Sequence, residues 1–250
     1  MKSLQEFFSE NPRAALGFSG GVDSAYLLYA GLRWGAEVAP YYVKTDFQPE
    51  FEFLDACRLC EELGVKMRVI ELDILAWQNI RENPAGRCYY CKQRLFGALK
   101  DRAAEDGFSL LIDGTNASDD AGDRPGMRAL KELSVRSPLR ECGLTKPEIR
   151  KRSKAAGLFT WDKPAYACLA TRVPVGRELS KEELGRIEKA EDRLAGLGFR
   201  DFRVRILEGS GGAKLQLKED QLHMAISGRR EILQALGPLF PQVTVDLQAR

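Results

Sequence analysis

Short apolar runs alternate with amphipathic stretches over the first two thirds of the chain. Ala14–Phe18 is apolar and runs into Ser19-Gly20-Gly21, which predicts a strand entering a turn. From Asp23 to Trp34, Tyr26, Leu27, Ala30 and Leu32 recur at helical spacing, and Gly35 closes the segment. Val38–Val43 predicts a second strand, Phe51–Leu63 a helix ending at Gly64, and Lys66–Leu72 a third strand. A loop with Asn83, Pro84 and Gly86 leads into a helix over Tyr90–Glu105. Leu110–Asp113 predicts a buried strand, followed by the polar loop Gly114–Gly126, and Val135–Pro138 a last short strand. Thr145 and Glu148 have capping-box spacing for a helix that runs to Gly157. Such alternation implies an α/β fold: a parallel sheet with helices on both faces.

The pattern changes after Pro174-Val175-Gly176. A polar helix, Ser180–Leu197, precedes two short strands, Arg203–Leu207 and Lys214–Leu217, around a Gly-Ser-Gly-Gly turn. A helix over Glu219–Leu236 and a strand over Gln242–Leu247 follow. We therefore expect two domains: residues 1–172 as the α/β domain and 173–250 as a small C-terminal α+β domain.

Composition changes this picture little. The 250 residues are 44% hydrophobic, enough for a substantial core. Lys and Arg number 38 against 36 Asp and Glu, a formal net charge of +2, so charge alone argues neither for nucleic acid nor for a membrane surface. No apolar run approaches the roughly 20 residues that cross a bilayer. The stretch MKSLQEFFSENPR carries no apolar signal core, which makes a cytoplasmic location the expectation.

The most informative motif is SGGVDS, Ser19 to Ser24, between a predicted strand and a predicted helix. Gly20 and Gly21 let the backbone turn tightly and bring N–H groups to an anion, and a helix N-terminus adds partial positive charge. Ser19 and Ser24 can donate hydroxyls to phosphate oxygens, and Asp23 can hold the Mg2+ that accompanies a polyphosphate. The loop has neither the lysine nor the spacing of a Walker A loop. It resembles the PP-loop of ATP pyrophosphatases, which implies cleavage of ATP between the α and β phosphates. Asp113-Gly114-Thr115-Asn116 ends a predicted central strand on the edge where open α/β sheets place ligands. Gly114, Thr115 and Asn116 are candidates to line the nucleotide site. Asp119 and Asp120 are candidates to assist with metal or are residues of a solvated loop.

The six cysteines fall into two pairs and two single residues. Cys88 and Cys91 form a C-x-x-C after a Pro/Gly loop at a helix start, beside Arg87 and Lys92. That setting suits a zinc half-site, a redox pair, part of an iron–sulfur site or two buried thiols. Cys57 and Cys60 share a helical stripe with Phe53 and Leu63 and read as core. Cys142 carries little signal. Cys168 lies near the domain junction, in KPAYACLATRVP, with Arg172 as a nearby cation. His223, the lone histidine, sits on a polar helix and reads as a surface residue.

Taken in order, SGGVDS, DGTN, RCYYCK, SPL, TKPEIR, WDKPAYACLATR and RVR resemble the LarE family, the ATP-dependent sulfur transferases of nickel-pincer cofactor synthesis. The resemblance spans nearly the whole chain. It implies adenylation of a carboxylate of pyridinium-3,5-biscarboxylic acid mononucleotide, displacement of AMP by sulfur, and a second round that completes the bisthiocarboxylate. It also implies Cys168 as the catalytic cysteine, with Thr171, Arg172, Glu191, Arg203 and Arg205 around the substrate phosphate. The family divides over the sulfur source. In one type a single cysteine is consumed and leaves dehydroalanine. In the other, three cysteines hold a [4Fe–4S] cluster that carries an extra sulfide. Cys88 and Cys91 with Cys168 match the cluster type, whereas Cys168 alone serves the sacrificial type. The implied partners are a small pyridinium mononucleotide, a sulfide or other sulfur donor, and further copies of the chain, without nucleic acid or membrane. Two other functions compete. One is a PP-loop tRNA thiolase using the same cysteines, and the other is a non-catalytic metal- or nucleotide-binding module.

Overall fold

A computed structural model describes residues 2–119 and 125–250 of the chain. In chain order the elements of the first half are α1 (Leu4–Glu10), β1 (Arg13–Gly17), α2 (Val22–Arg33), β2 (Glu37–Lys44), α3 (Glu50–Glu62), β3 (Arg68–Glu71), α4 (Gln78–Arg81) and α5 (Arg87–Glu105). They continue with β4 (Leu111–Ile112), α6 (Pro125–Glu132), α7 (Pro138–Glu141), α8 (Lys146–Ala155) and α9 (Lys181–Gly196). The last are β5 (Arg203–Ile206), β6 (Ala213–Gln216), α10 (Glu219–Ser227), α11 (Arg229–Leu236) and β7 (Val243–Val245). Packing separates two compact units, residues 1–74 with 86–163, and residues 75–85 with 164–250.

The first unit is an α/β layer structure. Its sheet has the order β3-β2-β1-β4, and every pairing is parallel. Alternate residues of β1 feed two apolar clusters, because successive side chains of a strand point to opposite faces. Ala14 and Leu16 pack with α1, α2 and α8 through Phe8, Leu27 and Ile149. Ala15 packs with α5 and α6 through Leu99, Ala103 and Leu130. Both faces are therefore covered, as a parallel sheet requires.

The second unit is smaller. Antiparallel β5 and β6 are joined by β7, which runs parallel to β6. Val204, Ile206, Ala213 and Leu215 are buried, as are Leu184, Ile187 and Leu194 of α9. Ser180 caps α9 by accepting from the Glu183 amide. The strip 75–85 is tied in by Asn83, whose carbonyl accepts from the Gly176 amide and whose side-chain amide donates to the Pro174 carbonyl. Among the described residues no helix is long and apolar enough to cross a membrane.

Two expected elements differ. Val135–Pro138 is not a strand: Arg136 makes a single parallel bridge to Ile112, and Pro138 opens α7. Proline has no N–H for a ladder and its fixed φ suits the first helical turn. The single helix expected over Glu219–Leu236 is two, interrupted at Gly228, a residue that weakens a helix interior. The boundary expected after Arg172 follows the change of sequence pattern, and packing groups Pro164–Arg172 with residues 173–250.

Candidate active site

In the first unit, β1 ends at Gly17 and the chain turns through Ser19-Gly20-Gly21 into α2. Gly20 sits at φ 69°, and a Cβ there would lie 3.0 Å from the Ala56 Cβ and 3.2 Å from its backbone. Glycine is needed here twice over, for the left-handed conformation and for the approach of α3. The Ser24 hydroxyl accepts from the Ser19 amide at 3.3 Å, donates to the Gly21 carbonyl at 3.2 Å and lies 3.2 Å from the Ser19 hydroxyl. The turn is thus braced by its own side chains before any ligand enters. Gly114 brings the end of β4 against it, since a Cβ on Gly114 would lie 3.0 Å from the Ser24 nitrogen.

Beside this turn stands a polar cluster. Asp23, in the first turn of α2, takes the Lys146 ammonium on Oδ2 at 2.5 Å and the Asn116 amide on Oδ1 at 3.4 Å. Burial pushes the Asp23 carboxyl upward, against the opposing pull of Lys146. Asn116 is buried, and its backbone amide donates to Asp119, which is exposed. Asp113 is buried at the end of β4 and accepts from the Thr115 hydroxyl and from the Ser137 hydroxyl at 2.6 Å. Thr115 therefore turns its hydroxyl toward Asp113. Asp120 lies outside the described residues.

The C-x-x-C pair occupies the first turns of α5, with Cys88 exposed and Cys91 buried. Residues three apart on a helix are neighbours on one side of it. The intervening Tyr89 is anchored to α6: its hydroxyl donates to Glu132 at 2.7 Å, and Arg128 stacks over its ring at 4.3 Å. Cys60 is buried in the core, and burial raises its thiol to about 12. Cys57 is half-buried, with its thiol also raised by burial. Cys142 is half-buried at the end of α7.

In the second unit, half-buried Cys168 caps a 3-10 turn, Leu169–Arg172, its carbonyl accepting from the Thr171 amide at 3.0 Å and the Thr171 hydroxyl at 2.8 Å. Arg172 is fully buried. It donates to Glu191 at 2.9 and 3.2 Å, to the Ala167 carbonyl at 2.7 Å and to the Thr171 hydroxyl at 3.0 Å. Glu191 also accepts from the Val204 amide at 2.9 Å and from the Tyr166 hydroxyl. Burial works against the charge on Arg172, and Glu191 outweighs it, holding the guanidinium above its usual range.

Arg203 and Arg205 alternate with buried Val204 and Ile206 along β5, so they share the opposite face. Arg205 donates to the Thr171 carbonyl at 2.9 Å and to Gln216. Arg203 makes no side-chain hydrogen bond or ion pair among the described residues. Burial lowers both guanidinium groups, and the surrounding cations, Arg172 and Arg250 among them, lower them further. Such a surplus of positive charge favours an anion. His223 is exposed on α10, with Nδ1 3.0 Å from the Ser227 hydroxyl.

Among the described residues no three His, Cys, Asp or Glu side chains gather as a metal-holding group. Two participants fall inside motifs of the family resemblance, Lys146 in TKPEIR and Tyr166 in WDKPAYACLATR, without being marked as site residues there. Lys146 reads as an ordinary first-turn residue of a capped helix, and Tyr166 as one aromatic in a loop.

No family model matches the chain. The uncharacterized protein slr1717 of Synechocystis is 36% identical over 99% of this chain and 93% of its own length. The pyridinium-3,5-bisthiocarboxylic acid mononucleotide synthase of Lactiplantibacillus plantarum is 32% identical over 94% of this chain and 86% of its own. The tRNA-specific 2-thiouridylase MnmA of Pseudothermotoga lettingae is 29% identical, but over only 58% of this chain and 52% of its own length. With a parallel PP-loop sheet and likeness to the synthase along almost its whole length, the chain belongs to the LarE family of pyridinium-3,5-bisthiocarboxylic acid mononucleotide synthases, ATP-dependent sulfur transferases.

Proposed function

We propose that this enzyme uses ATP to adenylate a carboxylate of pyridinium-3,5-biscarboxylic acid mononucleotide and then converts the acyl adenylate to a thiocarboxylate. The braced Ser19–Ser24 turn at the first strand–helix junction carries this reading. It offers backbone amides, two hydroxyls and a helix N-terminus to a polyphosphate. In the first step a carboxylate oxygen attacks the α-phosphorus and pyrophosphate leaves. In the second a sulfur nucleophile attacks the activated carbonyl and AMP leaves with the original oxygen. Gly114 lies against the same turn, and Thr115 beside it is the further candidate to meet the nucleotide. Asp23 is the carboxylate that would hold Mg2+, which neutralises phosphate charge when bound.

Arg203 and Arg205 are the cations for the phosphate of the mononucleotide, since guanidinium forks match phosphate oxygens. The Arg172–Glu191 pair holds Thr171 and the Cys168 segment in place against β5. It acts as a positioning pair in this reading, because its donors and acceptors are already engaged inside the unit.

For sulfur, the thiols of Cys88, Cys91 and Cys168 are the right chemistry for a [4Fe–4S] cluster. They would hold it with one iron left for an exogenous sulfide. A second reading needs Cys168 alone, on the segment that Thr171 and Arg172 hold in place. There the Cys168 thiolate forms a thioester as AMP leaves. Loss of the Cα proton and cleavage of the Cβ–S bond then release the thiocarboxylate and leave dehydroalanine.

The test is anaerobic turnover with ATP, magnesium, sulfide and the pyridinium dicarboxylate. Pyrophosphate and AMP should form only when the carboxylate is present. Repeated turnover that is lost in Cys88→Ala/Cys91→Ala, with iron and sulfide in the purified protein, supports the cluster. A single turnover that converts Cys168 to dehydroalanine supports the sacrificial route. Absence of carboxylate-dependent pyrophosphate defeats both. The chain is expected to work as a homo-oligomer in the cytoplasm on small molecules, and light scattering checks its assembly state.

A further inference from the structure

The SGGVDS turn contains no basic residue, yet a triphosphate brings several negative charges to it. The structure supplies a cation from elsewhere in the sequence. Lys146, in the first turn of α8, places its ammonium 2.5 Å from Asp23 Oδ2. Its side chain is 29% exposed and that of Asp23 is 21% exposed, so the pair stands at the edge of the site and not in the core. The position of Lys146 is built: its backbone amide donates to the Ser118 hydroxyl at 2.9 Å, which ties α8 to the loop after β4. Arg150, one turn further along α8, also acts on Asp23, but its guanidinium is committed to the Trp161 and Lys163 carbonyls at 2.7 and 2.8 Å. Lys146 has Asp23 as its one side-chain partner among the described residues. Of these two cations it alone can change partner without breaking the unit.

We propose that Lys146 is the phosphate-binding cation of the nucleotide site, held by Asp23 until nucleotide arrives. This rests on ATP being bound at the Ser19–Ser24 turn. In the free enzyme the carboxylate that binds the metal and the ammonium that binds phosphate neutralise each other. ATP with its metal separates them, the divalent ion taking Asp23 and the β- or γ-phosphate taking Lys146. The ion pair lets two opposite charges wait side by side in a partly dry site, where either alone would be costly. Because the pair is partly exposed, parting it costs little and the ligand compensates for it.

The test uses the full chain and variants Lys146→Met and Lys146→Arg, with thermal melting to confirm that each is folded. Calorimetry with saturating Mg2+ and no carboxylate substrate should show ATP binding weakened about tenfold or more in Lys146→Met, the size of a lost charge-assisted hydrogen bond. AMP, which lacks the outer phosphates, should bind as in the wild type, and Lys146→Arg should recover most of the ATP affinity. Binding of Mn2+ to the nucleotide-free protein, followed by paramagnetic resonance, should tighten in Lys146→Met, because Asp23 is then uncovered. A merely structural lysine would not weaken one ligand and tighten the other. Equal ATP affinity in Lys146→Met and wild type overturns the proposal, as does an equal loss for ATP and AMP. Unchanged Mn2+ binding overturns the masking of Asp23. If the wild type binds neither ATP nor AMP, it is the reading of the Ser19–Ser24 turn that fails.

Discussion

Arg172 and Glu191 form a buried ion pair in the second unit, with side-chain exposures of 0% and 6% and two contacts at 2.9 and 3.2 Å. The further hydrogen bonds of the pair go to backbone or to a hydroxyl, at Ala167, Cys168, Thr171, Tyr166 and Val204. Removing either partner leaves a buried charge without compensation. Arg172→Met or Glu191→Ala should each destabilise this unit by about 3–5 kcal/mol. Urea unfolding followed by signals from the second unit measures it. A loss of only a few tenths would mean that the pair is solvated in solution.

Gly20→Ala tests the nucleotide turn. The left-handed backbone costs an alanine about 1–2 kcal/mol, and its methyl would press on Ala56 of α3. The variant should melt lower and lose ATP-dependent pyrophosphate release by a larger factor than its stability loss explains. Retention of full activity would show that the turn does not need its conformation for ATP.

Cysteine reactivity separates the thiols. Burial holds the Cys60 thiol at about 12, whereas Cys88 is exposed. The thiolate is the species that alkylates. Under iron-free, mildly alkaline conditions iodoacetamide should label Cys88 quickly and Cys60 only on unfolding, as read by peptide mass spectrometry. Rapid native labelling of Cys60 would contradict the packing of α3.

Glu148 gives a pH dependence with a definite sign. It accepts from the Thr145 amide and hydroxyl at the start of α8, and these bonds hold its carboxyl below the ordinary 4.5. A carboxyl lowered by folding stabilises the fold above its unfolded value and stops doing so as pH falls through its folded value. Amide exchange in the first turn of α8 should therefore quicken as pH drops below about 4.5, after correction for intrinsic rates. Glu148→Gln should remove that step. Since α8 carries Lys146, ATP affinity should soften over the same range.

Much of the fold is legible along the chain because it rests on local periodicity. Strand β1, the SGGVDS turn, helix α2 and the capping box of α8 follow from residues adjacent in sequence. The face shared by Arg203 and Arg205 follows from their spacing of two. Val135–Pro138 misleads because apolar content favours a strand while one proline removes the ladder donor.

The sequence by itself determined the local rules: where the backbone turns at Gly20, which residue types can meet phosphate, and which thiols exist to meet sulfur. Only the tertiary structure decided which distant residues meet. It brings Lys146 to Asp23, Ser137 to Asp113 and Glu191 to Arg172. It also turns Arg172 inward, while Arg203 has no ion pair among the described residues. Charge–charge and hydrogen-bond contacts act over a few ångströms of space, and separation along the chain carries no information about that distance until the apolar faces have packed.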